Sequence, residues 1–253
     1  MRKLLHCLLA LCLLLPLCAQ AADDPVAVTD QILWTYQTPG SMKSVAYVPF
    51  ELTNTSDETI ALTVCQVEVL DQAGNLLLRE ETLNFFPKVL APGQKGYGVY
   101  ECGLWGTDAA QFAAPRIHPV ALPTDKEAHV LPLQLDFNEI DDCCGVIRAC
   151  FTAKNNTDRP MTDGVGVAAL FGEDGRLLDV AIQPYADNLF PETPIVLSPG
   201  EVDGDLVLRL WSYNFDVFTA MLERGVEETI GFICSAQADL RYYGDELVPE
   251  EWW

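Results

Sequence analysis

One series of strand and turn signals occurs twice in this chain, and the duplication restricts the fold more than any other feature. Thr53-Asn54-Thr55-Ser56-Asp57 ends a hydrophobic strand in an Asn/Asp turn. A second strand runs through Val67, Val69 and Leu70 to a turn at Gly74, and Leu90-Ala91-Pro92-Gly93 starts a third. The series returns as Lys154-Asn155-Asn156-Thr157-Asp158, then Leu170-Phe171-Gly172-Glu173-Asp174-Gly175, then Leu197-Ser198-Pro199-Gly200. Asn54 matches Asn155 and Gly74 matches Gly175 at a separation of 101, while Pro92 matches Pro199 at 107, which places six added residues near Tyr185 to Thr193. Leu104-Trp105 matches Leu210-Trp211, and Phe112 matches Phe218, at 106. Landmarks that agree this closely indicate a duplicated unit of about 100 residues.

Within the unit, Val48, Phe50 and Leu52 alternate with Pro49, Glu51 and Thr53, the pattern of a half-buried antiparallel strand. The expected fold class is therefore all-β, two antiparallel sandwiches in tandem, each with a short helical crossover. Thr107 or Asp108 can cap the first crossover, through Ala109, Ala110, Phe112 and Ala113, with Pro115 as its stop. Asn214 can cap the second, where Phe215, Phe218 and Leu222 recur at helical spacing and Gly225 ends the run. The division is residues 22–125 for the first sandwich and 126–253 for the second, which carries an acidic, Trp-ended tail. Pro119 to Glu127 has linker content, and residues 128–137 fit equally the closing strand of the first unit and the opening strand of the second.

Residues 1–21 read as a secretory signal peptide. Arg2 and Lys3 precede an apolar run from Leu4 to Leu17, and Ala19-Gln20-Ala21 supplies small residues at cleavage-site spacing. The run is about 14 residues where a membrane span needs roughly 20, and Leu17 is too large for a lipid attachment site at Cys18. Cleavage would leave 253 − 21 = 232 residues with 13 basic and 37 acidic side chains, a formal net charge of −24. Such a surface repels nucleic acid phosphates and anionic lipid heads. The expected location is secreted or in the cell envelope, with no transmembrane segment after cleavage.

Six cysteines remain beyond residue 21, and an even number in an oxidising compartment reads as disulfides. Cys65 shares a strand face with Val67 and Val69, and Cys102 with Tyr100 and Leu104, so both point inward. Gly166 and Leu208, a small residue opposite a large one, hold the corresponding places in the second unit. A Cys65–Cys102 disulfide follows, worth about 2–4 kcal/mol if unstrained. Cys143, Cys144, Cys150 and Cys234 belong to the second unit. Alternation turns Cys150 outward, so it is expected to pair with Cys143 or Cys144, leaving the other for Cys234. A zinc site with His118 or His129 is the rival, but no paired Cys-x-x-Cys spacing is present.

Strand, Asn-rich turn, a strand ending in an apolar-x-apolar-apolar-Asp signature, an Asp/Gly turn and a later Leu-x-Pro-Gly resemble the bacterial exported FxLYD-type and related Ig-like domains. Val67-Glu68-Val69-Leu70-Asp71 stands at the signature in the first unit and Ala168-Ala169-Leu170-Phe171-Gly172 in the second. Neither has its leading Phe, and the second lacks its Asp. The resemblance implies tandem Ig/fibronectin-III-like sandwiches and a non-catalytic module of the envelope or extracellular space, and it transfers no functional residue.

The residues themselves point the same way. Neither histidine beyond residue 21, His118 or His129, lies in a His-Glu-x-x-His run or near a Gly-x-Ser-x-Gly elbow. Catalytic residues, cofactor and metal are expected to be none. A hydrolase using a carboxylate pair between the units is the alternative from another class. A calcium-stabilised structural module is the third, on Glu201, Asp203 and Asp205 or Asp141-Asp142, without a complete Asp-x-Asp-x-Asp-Gly loop. Asn54-Thr55-Ser56 and Asn155-Asn156-Thr157 match the N-glycosylation pattern, although turn geometry alone accounts for Asn at both places. Trp252 and Trp253 are a candidate contact for a partner, an unknown protein or glycan.

Overall fold

A computed structural model of the chain describes residues 24–38, 40–127, 129–186, 195–211, 214–235, 240–243 and 246–249. The predicted signal segment 1–21, most of the enlarged loop after Tyr185, and Trp252 with Trp253 lie outside the described residues. The chain is all-β with antiparallel sheets. Among the described residues no helix is long and apolar enough to cross a membrane.

The first half opens with β1 (Val26–Gln31), β2 (Trp34–Gln37) and β3 (Lys43–Asn54). Then come β4 (Ile60–Asp71), β5 (Leu76–Thr82), the short β6 (Phe85–Phe86) and β7 (Val89–Leu90), β8 (Lys95–Trp105) and β9 (Phe112–Pro123). β3 pairs with β1, β2 and β8, and β8 with β6, in one sheet; β4 pairs with β5, β7 and β9 in another. Val48, Phe50, Leu52, Tyr100 and Cys102 from the first sheet share a core with Ile60, Leu62, Cys65, Val67 and Val69 from the second.

The second half comprises β10 (Val130–Asp141), β11 (Val146–Lys154), β12 (Gly164–Gly172), β13 (Leu177–Pro184), β14 (Val202–Trp211), α1 (Phe215–Glu223) and β15 (Val226–Ser235), followed by a hairpin of β16 (Leu240–Tyr243) and β17 (Glu246–Pro249). Its pairings β10·β11, β11·β14, β12·β13 and β12·β15 repeat β1·β3, β3·β8, β4·β5 and β4·β9 of the first half. The small-against-large expectation at Gly166 holds, because a Cβ there would come within 2.8 Å of Leu208 Cδ2.

Two readings of the connection change. Pro115, Pro119 and Pro123 lie in β9, which among the described strands pairs only with β4 and, as an edge strand there, tolerates residues lacking a backbone donor. The first crossover is accordingly one 3₁₀ turn, Ala109–Gln111, capped by Asp108. β10 pairs with β15 over Val130–Pro132 and with β11 over Leu133–Asp141, so it joins the second half and bends between its two layers. α1 forms as expected, with Asn214 Oδ1 accepting from the backbone N–H groups of Asp216 and Val217 and Gly225 at φ 70° beyond its end. It buries Val217, Phe218 and Met221, whereas Phe215 is exposed.

The repeated turn has an identical wiring in both halves. Asn54 Nδ2 donates to the carbonyls of Glu58 and Leu90, and its Oδ1 accepts from the backbone N–H and hydroxyl of Ser56. Asn155 Nδ2 donates to Arg159 and Leu197, and its Oδ1 accepts from the N–H and hydroxyl of Thr157. Both residues are buried, so a glycan on either amide nitrogen would require opening the turn. Turn geometry therefore explains both Asn-x-Ser/Thr matches.

The outer face of the β3–β8 sheet is covered around Tyr97 by the second half, while Lys95, Glu101 and Trp105 on the same face remain exposed. Tyr97 is buried in a cluster with Val167, Ala169, Leu177 and Val180, against which Phe86, Phe171 and Phe232 also pack. This is why Pro49 and Glu51, expected on an exposed face, are buried. Residues 176–180 are gripped by three side chains of the first half. Asp30 receives the Arg176 guanidinium at 2.6 Å and the Leu177 N–H at 2.8 Å, Trp34 Nε1 donates to Leu178 O at 2.8 Å, and the Tyr47 hydroxyl donates to Asp179 Oδ1 at 2.6 Å. The burial of Asp30 would raise its carboxyl, but the Arg176 and backbone N–H donors outweigh that and hold it below the ordinary range.

Candidate functional site

A cavity of about 440 Å³ opens where the two halves meet. Three separate stretches of chain bring cations to it. Pro87, Lys88 and Val89 come from the β6–β7 connection, Asp125, Lys126, Glu127 and His129 from the segment between β9 and β10, and Arg159 from the repeated turn after β11. Cys234 and Ser235 at the end of β15 complete the lining. A second cavity of about 240 Å³ shares Glu127, His129 and Arg159 and adds Thr157 and Asp158.

Each functional group has a definite setting. Lys88 Nζ donates to the Leu83 carbonyl and stands 3.7 Å from the centre of the Phe85 ring and 4.6 Å from that of Phe86. Burial lowers this ammonium to about 8, which leaves it mostly charged at neutral pH. Arg159 is placed by the Asn155 turn, which holds its carbonyl, and its guanidinium is 3.4 Å from Glu127. His129 accepts the Ser235 N–H through its backbone carbonyl, while its ring Nε2 is buried with no hydrogen-bond partner among the described residues. The Cys234 thiol contacts the Val165 carbonyl at 3.8 Å, and burial pushes it up to about 12.

The residues singled out from sequence fall elsewhere, with two exceptions. His129 and Cys234 line the groove; His118 is exposed beside β4, 4.0 Å from Glu68, which also binds Arg79 and Arg116. Trp252 and Trp253 lie outside the described residues. Asp203 accepts the Tyr185 hydroxyl and Glu201 the Ser198 N–H; Asp141 accepts the N–H groups of Cys143 and Cys144 and pairs with Arg148. Those carboxylates are engaged in turns and core contacts, and no group of three His, Cys, Asp or Glu among the described residues could hold a metal ion. Lys88 and Arg159 were missed by sequence reasoning. A signal did exist at the latter, because the duplicated turn carries Glu58 where the second copy has Arg159, at the same separation of 101.

Cys65, Cys102, Cys143, Cys144, Cys150 and Cys234 all carry free thiols in the structure. Strand register corrects the pairing expected in the second half. Cys143 and Cys144 sit in the turn beyond the Asp141–Val146 pair, whereas Cys150 pairs with Phe137, four residues down the strand from Val146. At about 3.3 Å per residue the gap is roughly 13 Å, beyond the reach of a disulfide. Cys234 pairs with Val130 and Val165 in the other layer, at the far end of β10 from that turn. Cys65 and Cys102 do share one core as expected, and burial pushes the Cys65 thiol up to about 12 and the Cys102 thiol above its ordinary value. Because the thiolate is the reactive species, alkylation of the native protein is expected to reach the exposed Cys143 and Cys144 first. Cys65 and Cys234 should react only on unfolding. Mass mapping of a timed alkylation checks this, and native labelling of Cys234 at the rate of Cys143 would contradict the burial described.

No protein-family model matches the chain, and no curated protein matches it.

Proposed function

We propose that the chain is an exported, non-catalytic binding or scaffolding protein of the bacterial cell envelope or extracellular space, built as tandem Ig-like sandwiches, with its ligand held in the groove between the two halves. One observation carries this reading: a chain poor in cations gathers Lys88, Lys126 and Arg159 from three separate segments around a cavity at its internal junction. A purely structural junction has no need of open volume there. The apolar contacts around Tyr97 and the grip of Asp30, Trp34 and Tyr47 on residues 176–180 hold the groove walls in register, the preorganisation a binding site requires.

The test is cross-linking on the producing cell followed by identification of what is captured, with the wild-type chain compared against the double variant Lys88→Glu, Arg159→Glu. The expected result is a captured species that the variant loses while retaining the wild-type melting profile. Equal capture by both chains would remove the groove from the function, and the absence of the protein from the exported fraction would remove the compartment.

A further inference from the structure

We infer that the groove takes a small oxyanion-bearing ligand, whose carboxylate or phosphate group is held between Lys88 and Arg159 against the ring of His129; this rests on the groove being the binding site proposed above. The lining carries Lys88, Lys126 and Arg159 against Asp125 and Glu127, a local balance of +1 from lysine, arginine and carboxylate groups. The chain beyond residue 21 has 13 basic and 37 acidic residues, so three of its 13 cations surround one cavity. Arg159 stands 3.4 Å from Glu127, so its guanidinium is shared between that carboxylate and the ligand while Lys88 and Lys126 supply the local excess. Charge on distant surface is screened over about 8–10 Å at ordinary salt, so the groove's own cations decide what enters.

His129 supplies an independent pointer. Buried polar atoms in folded proteins are almost always paired, and an orphan calls for a missing partner. The Nε2 atom of His129 is such an orphan, and it belongs to a residue shared by both adjoining cavities. With its proton on Nε2 the imidazole donates to an anion's oxygen, completing a three-sided set with an ammonium and a guanidinium. Pro87 and Val89 add apolar surface to the same cavity.

The experiment titrates the full chain, as exported, with inorganic phosphate, citrate and trehalose at matched ionic strength, by calorimetry and thermal shift. Phosphate or citrate is expected to bind and to raise the melting temperature, trehalose to do neither. Whichever oxyanion binds identifies the group. Arg159→Gln and Lys88→Met, the latter keeping the aliphatic stem, should each weaken binding at least tenfold, and Arg159→Lys should restore part of the loss. Unliganded melting of each variant controls for folding. No heat or shift with either oxyanion, or full affinity in both variants, overturns the inference. Trehalose binding that Arg159→Gln abolishes would overturn the oxyanion while leaving the groove as the site, whereas loss of the groove altogether is read from unchanged cellular capture.

Discussion

Asn155→Ala is expected to lower stability by about 3–5 kcal/mol, and Asn54→Ala by a similar amount, because each buried amide completes hydrogen bonds to two carbonyls, one N–H and one hydroxyl. The Leu90 and Leu197 carbonyls lie in the buried part of each turn, so they are the groups whose loss costs most. Asn155→Asp should recover little: it keeps the acceptor for Thr157 but removes both donors, and it places a charge where the residue is fully buried. Urea unfolding followed by Trp fluorescence checks these values. A loss below about 1 kcal/mol for Asn155→Ala would show that the turn tolerates the loss. Because Asn155 also places Arg159, the same variant should weaken the groove's affinity even below its melting temperature.

The second large effect concerns Asp179, fully buried at the contact between the halves and raised to about 6. Burial is the main cause; the Tyr47 hydroxyl and the Val180 N–H, both bonded to Oδ1, act in the opposite direction without cancelling it. The folded-state value lies above the unfolded one, so the protonated carboxyl favours folding. That contribution is complete below the ordinary carboxylate value of 3.8 and is lost as pH rises through about 6. The gap between 3.8 and about 6 corresponds to about 3 kcal/mol. Asp179→Asn, which keeps an Oδ1 acceptor for both donors, is therefore expected to be more stable than wild type by about 3 kcal/mol at pH 8 and equal to it near pH 4. Melting curves of both proteins across this range test the sign directly. A difference that is constant with pH would show that Asp179 titrates normally. Asp30, held below the ordinary carboxylate range, acts in the reverse sense: its contribution is present above the ordinary carboxylate value and is lost as pH falls through its lowered one.

Several elements were legible before any coordinates. The Asn54 and Asn155 turns, α1 with its Asn214 and Gly225 ends, and the inward faces of Cys65 and Cys102 all follow from local chemistry: a side chain that bonds its own backbone, a helical period, an alternation of two. The linker and first helix were misjudged because Pro and Ala carry the same local preferences on an edge strand as in a connection, and only the pairing of β9 with β4 separates the two. The half-exposed reading of β3 failed for a related reason. Period-two alternation reports which residues differ in polarity, and Glu51 remained polar while being covered, since Thr29 and Lys95 satisfy its carboxylate.

Of the groove, single residues were legible but not their convergence. Lys88, His129, Arg159 and Cys234 are scattered over 147 positions and match no spacing that chemistry imposes on a motif. By itself the sequence determined the all-β class, the duplicated order of strands and the chemistry of the repeated turn, because each depends on neighbours within a few residues. Only the tertiary structure decided that residues 176–180 would be clasped by Asp30, Trp34 and Tyr47, that β10 would join the second half, and that Lys88, Lys126 and Arg159 would line one cavity with His129, whose Nε2 has no partner among the described residues. Those outcomes depend on which sheet face covers which, and such long-range packing leaves no periodic trace in the chain.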